Sequence, residues 1–447
     1  MTQLNRVPQQ AQTTSTIAAP KPSLTLVDAI ALIVGLVIGA GIFETPALVA
    51  SNIETTGGVI WIWLMGGVVS FLGALCYAEL ATTYPHVGGN YYYLKRAFGQ
   101  PIAVLFAWAR MTVIQTGSIA LLAFVFGDYA SQMFSLGAYS ASIYAAVAIA
   151  LLTILNLIGL RQSQRFQNGL AVSLILGLLL IIVFGLAASP PPAVAPPSPA
   201  SPISSWGLAL VFVLLSYGGW NEAAYISAEM QNPQRNIVRS LLWSIGIITG
   251  IYLLINLAYL RGLGIERMAD SQAVAADLLR QSLGESGALI VSLLVIVATL
   301  GSINATIFTG ARTNFALGQD VSPLRWLGRW QAHPSSPTTA YLLQGAIALT
   351  LVGLGSFTRK GFETMVDYTA PIFWFFFLLS TVSLIILRIR EPLRQRPFQV
   401  PLYPLVPILF CAICGYLFYS SLVYTGVGAI IGIGVVLMGI PFSRQAT

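Results

Sequence analysis

The sequence predicts an all-α polytopic membrane protein with about twelve transmembrane helices. Three observations carry that expectation. Only 8% of the 447 residues are charged and 56% are hydrophobic, whereas charged residues make up about 25% of a soluble domain. Apolar runs of roughly 20 residues, the length that crosses a bilayer, succeed one another with polar connections between them. The basic residues also concentrate on alternate connections, as the positive-inside bias requires.

Residues 1–22 are rich in Gln, Thr and Pro and lack the apolar core of a signal peptide, so they read as a disordered cytoplasmic tail. Span 1 is the run 26–52, LVDAIALIVGLVIGAGIFETPALVASN. Span 2 is placed at 59–82 and leads into an amphipathic connection, CYAELATTYPHVGGNYYYLKRAFG. Spans 3, 4 and 5 are placed at 101–126, 141–160 and 169–188. The stretch PPPAVAPPSPASP is too proline-dense for a helix and reads as an extended loop. Span 6 starts near Trp206 and span 7 covers 241–260. Residues 264–284 carry Glu266, Asp270, Asp277 and Arg280 and read as an amphipathic helix outside the bilayer. Spans 8 to 12 are placed at 288–311, 339–354, 365–387, 405–423 and 426–440, leaving 442–447 as a cytoplasmic tail.

With the amino terminus inside, sixteen of the 22 basic residues fall on inner segments and five on outer ones, with Arg110 inside span 3. This predicts both termini in the cytoplasm, an even number of spans and a cell (inner) membrane location. It also accounts for the net charge of +7 without a nucleic-acid partner. Cys76, Cys411 and Cys414 lie in apolar runs and read as small packing residues. Two isolated histidines, His86 and His333, make no metal site, and no cofactor is expected.

Spans 1 and 6 are interrupted. Span 1 carries Gly35, Gly39 and Gly41, then Glu44 and Pro46; span 6 carries Ser216-Tyr-Gly-Gly-Trp220. Glycine weakens a helix interior by roughly 0.5–1 kcal/mol relative to alanine. Backbone groups released in this way cannot face lipid. Close packing of another helix is one reading; a binding site at mid-membrane is the other. Two breaks five spans apart, in chains entering from opposite sides, favour the site. They also suggest two inverted five-helix repeats, at about 24–188 and 204–388, with two further helices at about 400–441, all within one domain at 23–441. Free N–H groups from Ala40 onward suit a carboxylate. Carbonyls at Ile38 and Leu215 suit an ammonium. Backbone alone can therefore hold both ends of a zwitterion such as an α-amino acid.

Inside the spans, Glu222 is a proton site, a cation-selecting group or a solvated vestibule residue. Arg110 reads as snorkelling to the cytoplasmic surface, and Gln115 is the better pocket candidate. Glu79 reads as structural.

At these residues the chain resembles a family. VIGAGIFETP is similar to the helix 1 signature of amino acid permeases, and SYGGWNEAAYISAEMQNPQRN to their helix 6 and the connection after it. YAELATTYPHVGGNYYYLKRAFG, LNLIGLRQSQRFQN, GSINATIFTGAR and FETMVDYTAPIFWFFF fit in the same order. The resemblance is to the amino acid–polyamine–organocation superfamily, nearest its L-type amino acid transporter branch. It implies secondary transport of amino acids by alternating access, and no enzyme activity. It implies that Ile38, Gly39, Ala40, Gly41 and Ile42 meet Leu215, Tyr217, Gly218, Gly219, Trp220 and Asn221 around the substrate. Ala40 stands where the family has Ser or Thr. Leu215 stands where the branch has an aromatic gate, so gating must differ or use Tyr217 or Trp220. Leu174 stands where proton-coupled relatives carry lysine, and Thr299 and Ser302 are candidate sodium ligands.

The expected substrates are α-amino acids, neutral ones first, moved by exchange or with proton or sodium coupling; proton coupling would run through Glu222. A cationic amino acid or polyamine paired with Glu222 is the alternative, and a transport-inactive membrane receptor the alternative of another class. The oligomeric state is left open.

Overall fold

The computed structural model describes residues 22–39, 41–53, 55–188, 206–271, 273–331, 336–358, 361–425 and 427–444. The expectations for the tail at 1–21, for Ala40, for the proline-rich loop at 189–205 and for His333 lie outside them.

The described residues form helices, with two isolated β-bridges. Nine of these helices are long and apolar enough to cross a membrane, and the protein is an integral membrane protein. They correspond to the runs expected for spans 2 to 5 and 7 to 11: Thr56–Thr83 (α3), Gln100–Met133, Ser140–Ile158 (α7), Leu160–Ala187 (α8), Pro233–Asp270 (α10), Glu285–Asp320 (α12), Thr338–Thr358 (α13), Gly361–Arg390 (α14) and Leu405–Thr425 (α15). Spans 1, 6 and 12 are built from shorter pieces. Span 1 is Leu26–Val37 (α1) and Gly41–Asn52 (α2). Span 6 is Trp206–Ser216 (α9) with a 3₁₀ segment after it, Trp220–Glu229. Span 12 is Val427–Leu437 (α16) and Ile440–Arg444 (α17). Asn90–Phe98 (α4) and Val274–Leu283 (α11) are the amphipathic connectors.

Local chemistry sets several boundaries. Thr25 caps α1: its hydroxyl accepts from the Asp28 N–H while the Asp28 carboxylate accepts from the Thr25 N–H, a capping box. α8 starts nine residues before the expected 169, because the polar stretch after Gly159 is not a loop. Ser163 and Gln167 on its first turns bond the buried Asn156 and Asn304, which supplies the partners that make a polar helix start stable here. The helical run Gln100–Met133 is not uniform. Gln100–Ala109 (α5) passes into a π turn at Arg110–Ile114 before Gln115–Met133 (α6). Such turns are frequent at functional sites.

α1 packs against the 3₁₀ segment, and α2 packs against α9. The first half of span 1 thus lies beside the second half of span 6, and the reverse. The two broken spans run antiparallel with their breaks at one level. α10 and α12 flank α1, and α8 lies against all three.

At the end of the bundle rich in basic residues, ion pairs tie the connectors to the spans. Lys95 pairs with Asp320 at 2.7 Å, Arg96 with Glu391, and Arg388 and Arg396 both with Glu79. Glu79 also accepts from the Val400 N–H, which fits its reading as structural. His86, in the turn before α4, stacks on Tyr92 at 4.3 Å, and its Nδ1 accepts from the Gly88 N–H. Burial pushes its imidazole below the ordinary value of 6.5, against the opposing pull of Asp320. The unfolded chain therefore takes up the proton first, so this contribution is complete above pH 6.5 and falls as pH drops below it. Melting temperature in detergent is expected to decline between pH 7.5 and 5.5, with a shallower decline in His86→Gln; parallel curves would contradict this.

Candidate functional site

The site is where the two breaks face each other. α1 gives out at Val37 because Gly39 and Gly41 come next; the Ile38 N–H still reaches Val34 O and the Gly39 N–H turns back to Val37 O at 2.9 Å. α9 gives out at Ser216, and the turn after it needs Gly219, whose φ of +113° is left-handed. A Cβ at Gly219 would also lie 2.8 Å from Cδ2 of the Leu36 side chain.

Close approach explains Gly41 as well. A Cβ there would lie 2.8 Å from Ser216 Oγ and 3.2 Å from Ser216 Cα. Backbone meets backbone at this point, and Ser216 Oγ is 2.8 Å from Thr45 Oγ1 on the far side of the break. Ile42 beside it is buried.

The carbonyls released by the breaks have identifiable partners. The Ser302 hydroxyl of α12 donates to Gly35 O at 2.9 Å. The Tyr252 hydroxyl of α10 lies 3.1 Å from Val37 O and 2.9 Å from Ser216 O. One phenol thus bridges the ends of both half-helices. Sequence reasoning missed Tyr252, which lies in an apolar span; the only signal was a fully buried hydroxyl that has to find an acceptor.

The remaining expected residues do not share one surface. Gly218 and Asn221, with Trp220, line a cavity of about 20 Å³ closed by Trp374, Phe377 and Phe410; that is room for about one water. Trp220 sits edge-on to Tyr77 at 5.3 Å. Tyr217 turns the other way: its hydroxyl donates to Trp63 O, and its ring packs on Trp63 and Tyr252. The Leu215 carbonyl accepts the Gly218 N–H at 3.1 Å, and its side chain is largely exposed. Gln115 is buried and donates to Thr306 O and Thr309 Oγ1, fastening α6 to α12. Thr299 donates within its own helix, to Val295 O and Ile296 O, so its hydroxyl proton faces away from the Ser302 contact.

One expectation is overturned. Arg110 does not snorkel. Its side chain is 3% exposed and its Nη2 lies 2.5 Å from Glu222 Oε2, with the Glu222 side chain 7% exposed. The guanidinium also lies 3.9 Å from the centre of the Tyr225 ring. The π turn starts at Arg110, and an internal carboxylate partner makes burial cheaper than a stretch to the surface. Glu222 is accordingly neither solvated nor free. A second buried pair, Arg312 with Glu229, joins α12 to the end of the 3₁₀ segment.

Tyr252→Phe removes the one donor proton that Val37 O and Ser216 O share. Loss of that hydrogen bond costs about 1–3 kcal/mol, so ligand affinity or uptake is expected to drop ~10-fold. Unchanged affinity would show that the bridge does not hold the breaks.

Residues 24–440 match the family model described as amino acid permease. Over 423 residues the chain is 31% identical to b(0,+)-type amino acid transporter 1 of Homo sapiens, covering 93% of this chain and 85% of that protein. Over 435 residues it is 30% identical to large neutral amino acids transporter small subunit 2 of Mus musculus, covering 95% of this chain and 80% of that protein.

Proposed function

Because the chain belongs to the amino acid permease family and is an amino acid transporter rather than an enzyme, we propose that it exchanges neutral α-amino acids across the membrane by alternating access. The observation that carries this reading is the meeting of the two antiparallel breaks at Gly41 and Ser216. N–H groups at the start of α2 attract a carboxylate, and carbonyls at the ends of α1 and α9 attract an ammonium. Trp374, Phe377 and Phe410 beside the span 6 break present no charge to a substrate side chain.

Exchange, rather than proton-driven uptake, is supported by two features. The buried Leu174 cannot titrate. Glu222 is held by Arg110. Both termini lie on the cytoplasmic side in this reading, at the end of the bundle rich in arginine.

The test is uptake of labelled L-leucine into proteoliposomes. Vesicles preloaded with leucine are expected to take it up far faster than empty ones, with or without an inward proton or sodium gradient. Leucine methyl ester and N-acetyl leucine are expected to compete poorly. Concentrative uptake into empty vesicles driven by either gradient would replace exchange with symport. Saturable binding without any uptake would point to a receptor.

A further inference from the structure

The Arg110–Glu222 pair has no role in holding a zwitterion by its backbone ends, yet it is built into the same level of the protein. Glu222 comes directly after Asn221, which lines the cavity, and its N–H bonds to Gly219 O in the span 6 turn at 3.0 Å. Three residue steps of 3₁₀ helix lead from Gly219 to Glu222, a rise of about 6 Å. A lysine side chain, with its four-carbon stem, has that reach when its α-ammonium sits at the break.

We propose that Arg110 is a tethered counter-ion that sets the charge selectivity of the site, occupying Glu222 so that cationic amino acids are excluded. The inference rests on the transport reading above. Arg110 satisfies one carboxylate oxygen at 2.5 Å; among the described residues the other has only the distant Asn221 amide, at 3.4 Å. Among the described residues no partner lies on Arg110 Nε. The pair is therefore incompletely hydrogen-bonded on both sides, unlike Arg312–Glu229, which is bidentate with Tyr341 added. A fully buried carboxylate demands a cation. With Arg110 in place a second cation would meet the guanidinium; without it, a substrate ammonium can take the place of the guanidinium at Glu222, in competition with a proton.

The test uses the full chain in proteoliposomes, with L-leucine and L-lysine as probes. The parent protein is expected to take up leucine and exclude lysine. Arg110→Gln is expected to gain saturable lysine uptake at least ~10-fold above the parent, a change equivalent to about 1.4 kcal/mol. Adding Glu222→Gln is expected to abolish that gain, and Arg110→Lys is expected not to show it. If Arg110→Gln does not survive extraction, Glu222→Gln tests the mirror image: Arg110 is then free, and L-glutamate uptake is expected to appear. Lysine uptake by the parent at the rate of leucine would overturn the proposal. So would a folded Arg110→Gln that carries leucine but no more lysine than the parent, or lysine uptake that persists in the double variant. A parent that carries neither probe would instead sink the transport reading itself.

Discussion

Gly41→Val is expected to abolish substrate binding while the protein still inserts and purifies as a folded species. The reason is geometric. The first atom of any side chain at residue 41 meets Ser216 Oγ at 2.8 Å and Ser216 Cα at 3.2 Å. The hydroxyl can rotate away; the Cα cannot move without carrying the span 6 break with it. Overpacking of this kind costs about 1–3 kcal/mol, and it falls entirely on the arrangement in which the breaks meet. Valine adds two methyl groups on a stiff χ1, so both breaks must separate and the N–H groups of α2 no longer converge with the carbonyls of α9. An affinity loss of ~100-fold or more is expected, from about 3 kcal/mol at the upper end of that range. Gly41→Ala is expected to fall between, and Ser216→Gly to restore part of what alanine loses. Binding is read by leucine-dependent thermal stabilisation of the purified variants. Near-normal binding by Gly41→Val would reduce the break to a packing feature.

Glycine is also why so much of the site is legible in the sequence. Gly39, Gly41, Gly218 and Gly219 announce where the spans give way, since backbone conformation is a local property. The apolar runs announce the spans for the same reason. What the sequence withholds is long-range. Arg110 and Glu222 are 112 residues apart, and nothing local distinguishes an arginine that snorkels from one that meets a carboxylate on another span. The surface reading of Arg110 fails for that reason. Tyr252 is invisible as a functional residue because its acceptors, Val37 O and Ser216 O, are backbone atoms of two other spans. The early start of α8 is hidden because Ser163 and Gln167 look like loop residues until Asn156 and Asn304 are placed against them. The second half of span 6 reads as an ordinary helix in sequence, whereas it is 3₁₀ over ten residues. Runs longer than three or four are uncommon, so tertiary packing around Tyr225 and Trp220, not propensity, holds it in that form.

Arg312→Leu is expected to lower stability more than any of the other single substitutions. Arg312 reaches Glu229 through two nitrogens, at 2.5 and 2.8 Å, while Nη1 bonds Tyr341 Oη and the Phe308 carbonyl. The guanidinium lies 3.4 Å from the centre of the Phe308 ring. Both partners are almost completely buried, with side chains 2% and 1% exposed. The Glu229 carbonyl in turn accepts the N–H groups of Ser23 and Leu24, so the pair ties α12, the end of span 6 and the segment entering α1 into one unit. Removing the cation alone leaves a buried carboxylate without compensation, which costs about 3–5 kcal/mol. Removing both charges with apolar groups of similar size costs far less, because the desolvation of two ions is also removed. Arg312→Leu is therefore expected to lower the melting temperature in detergent strongly or to prevent recovery of folded protein, and Arg312→Leu with Glu229→Leu to recover most of the loss. Transport is expected to recover less than stability does, since the double variant no longer fastens the start of span 1 to the end of span 6 by a directional contact. Equal melting temperatures for the parent and Arg312→Leu would mean that the carboxylate finds water, and the pair would then be a surface contact rather than the buried clasp of the two broken spans.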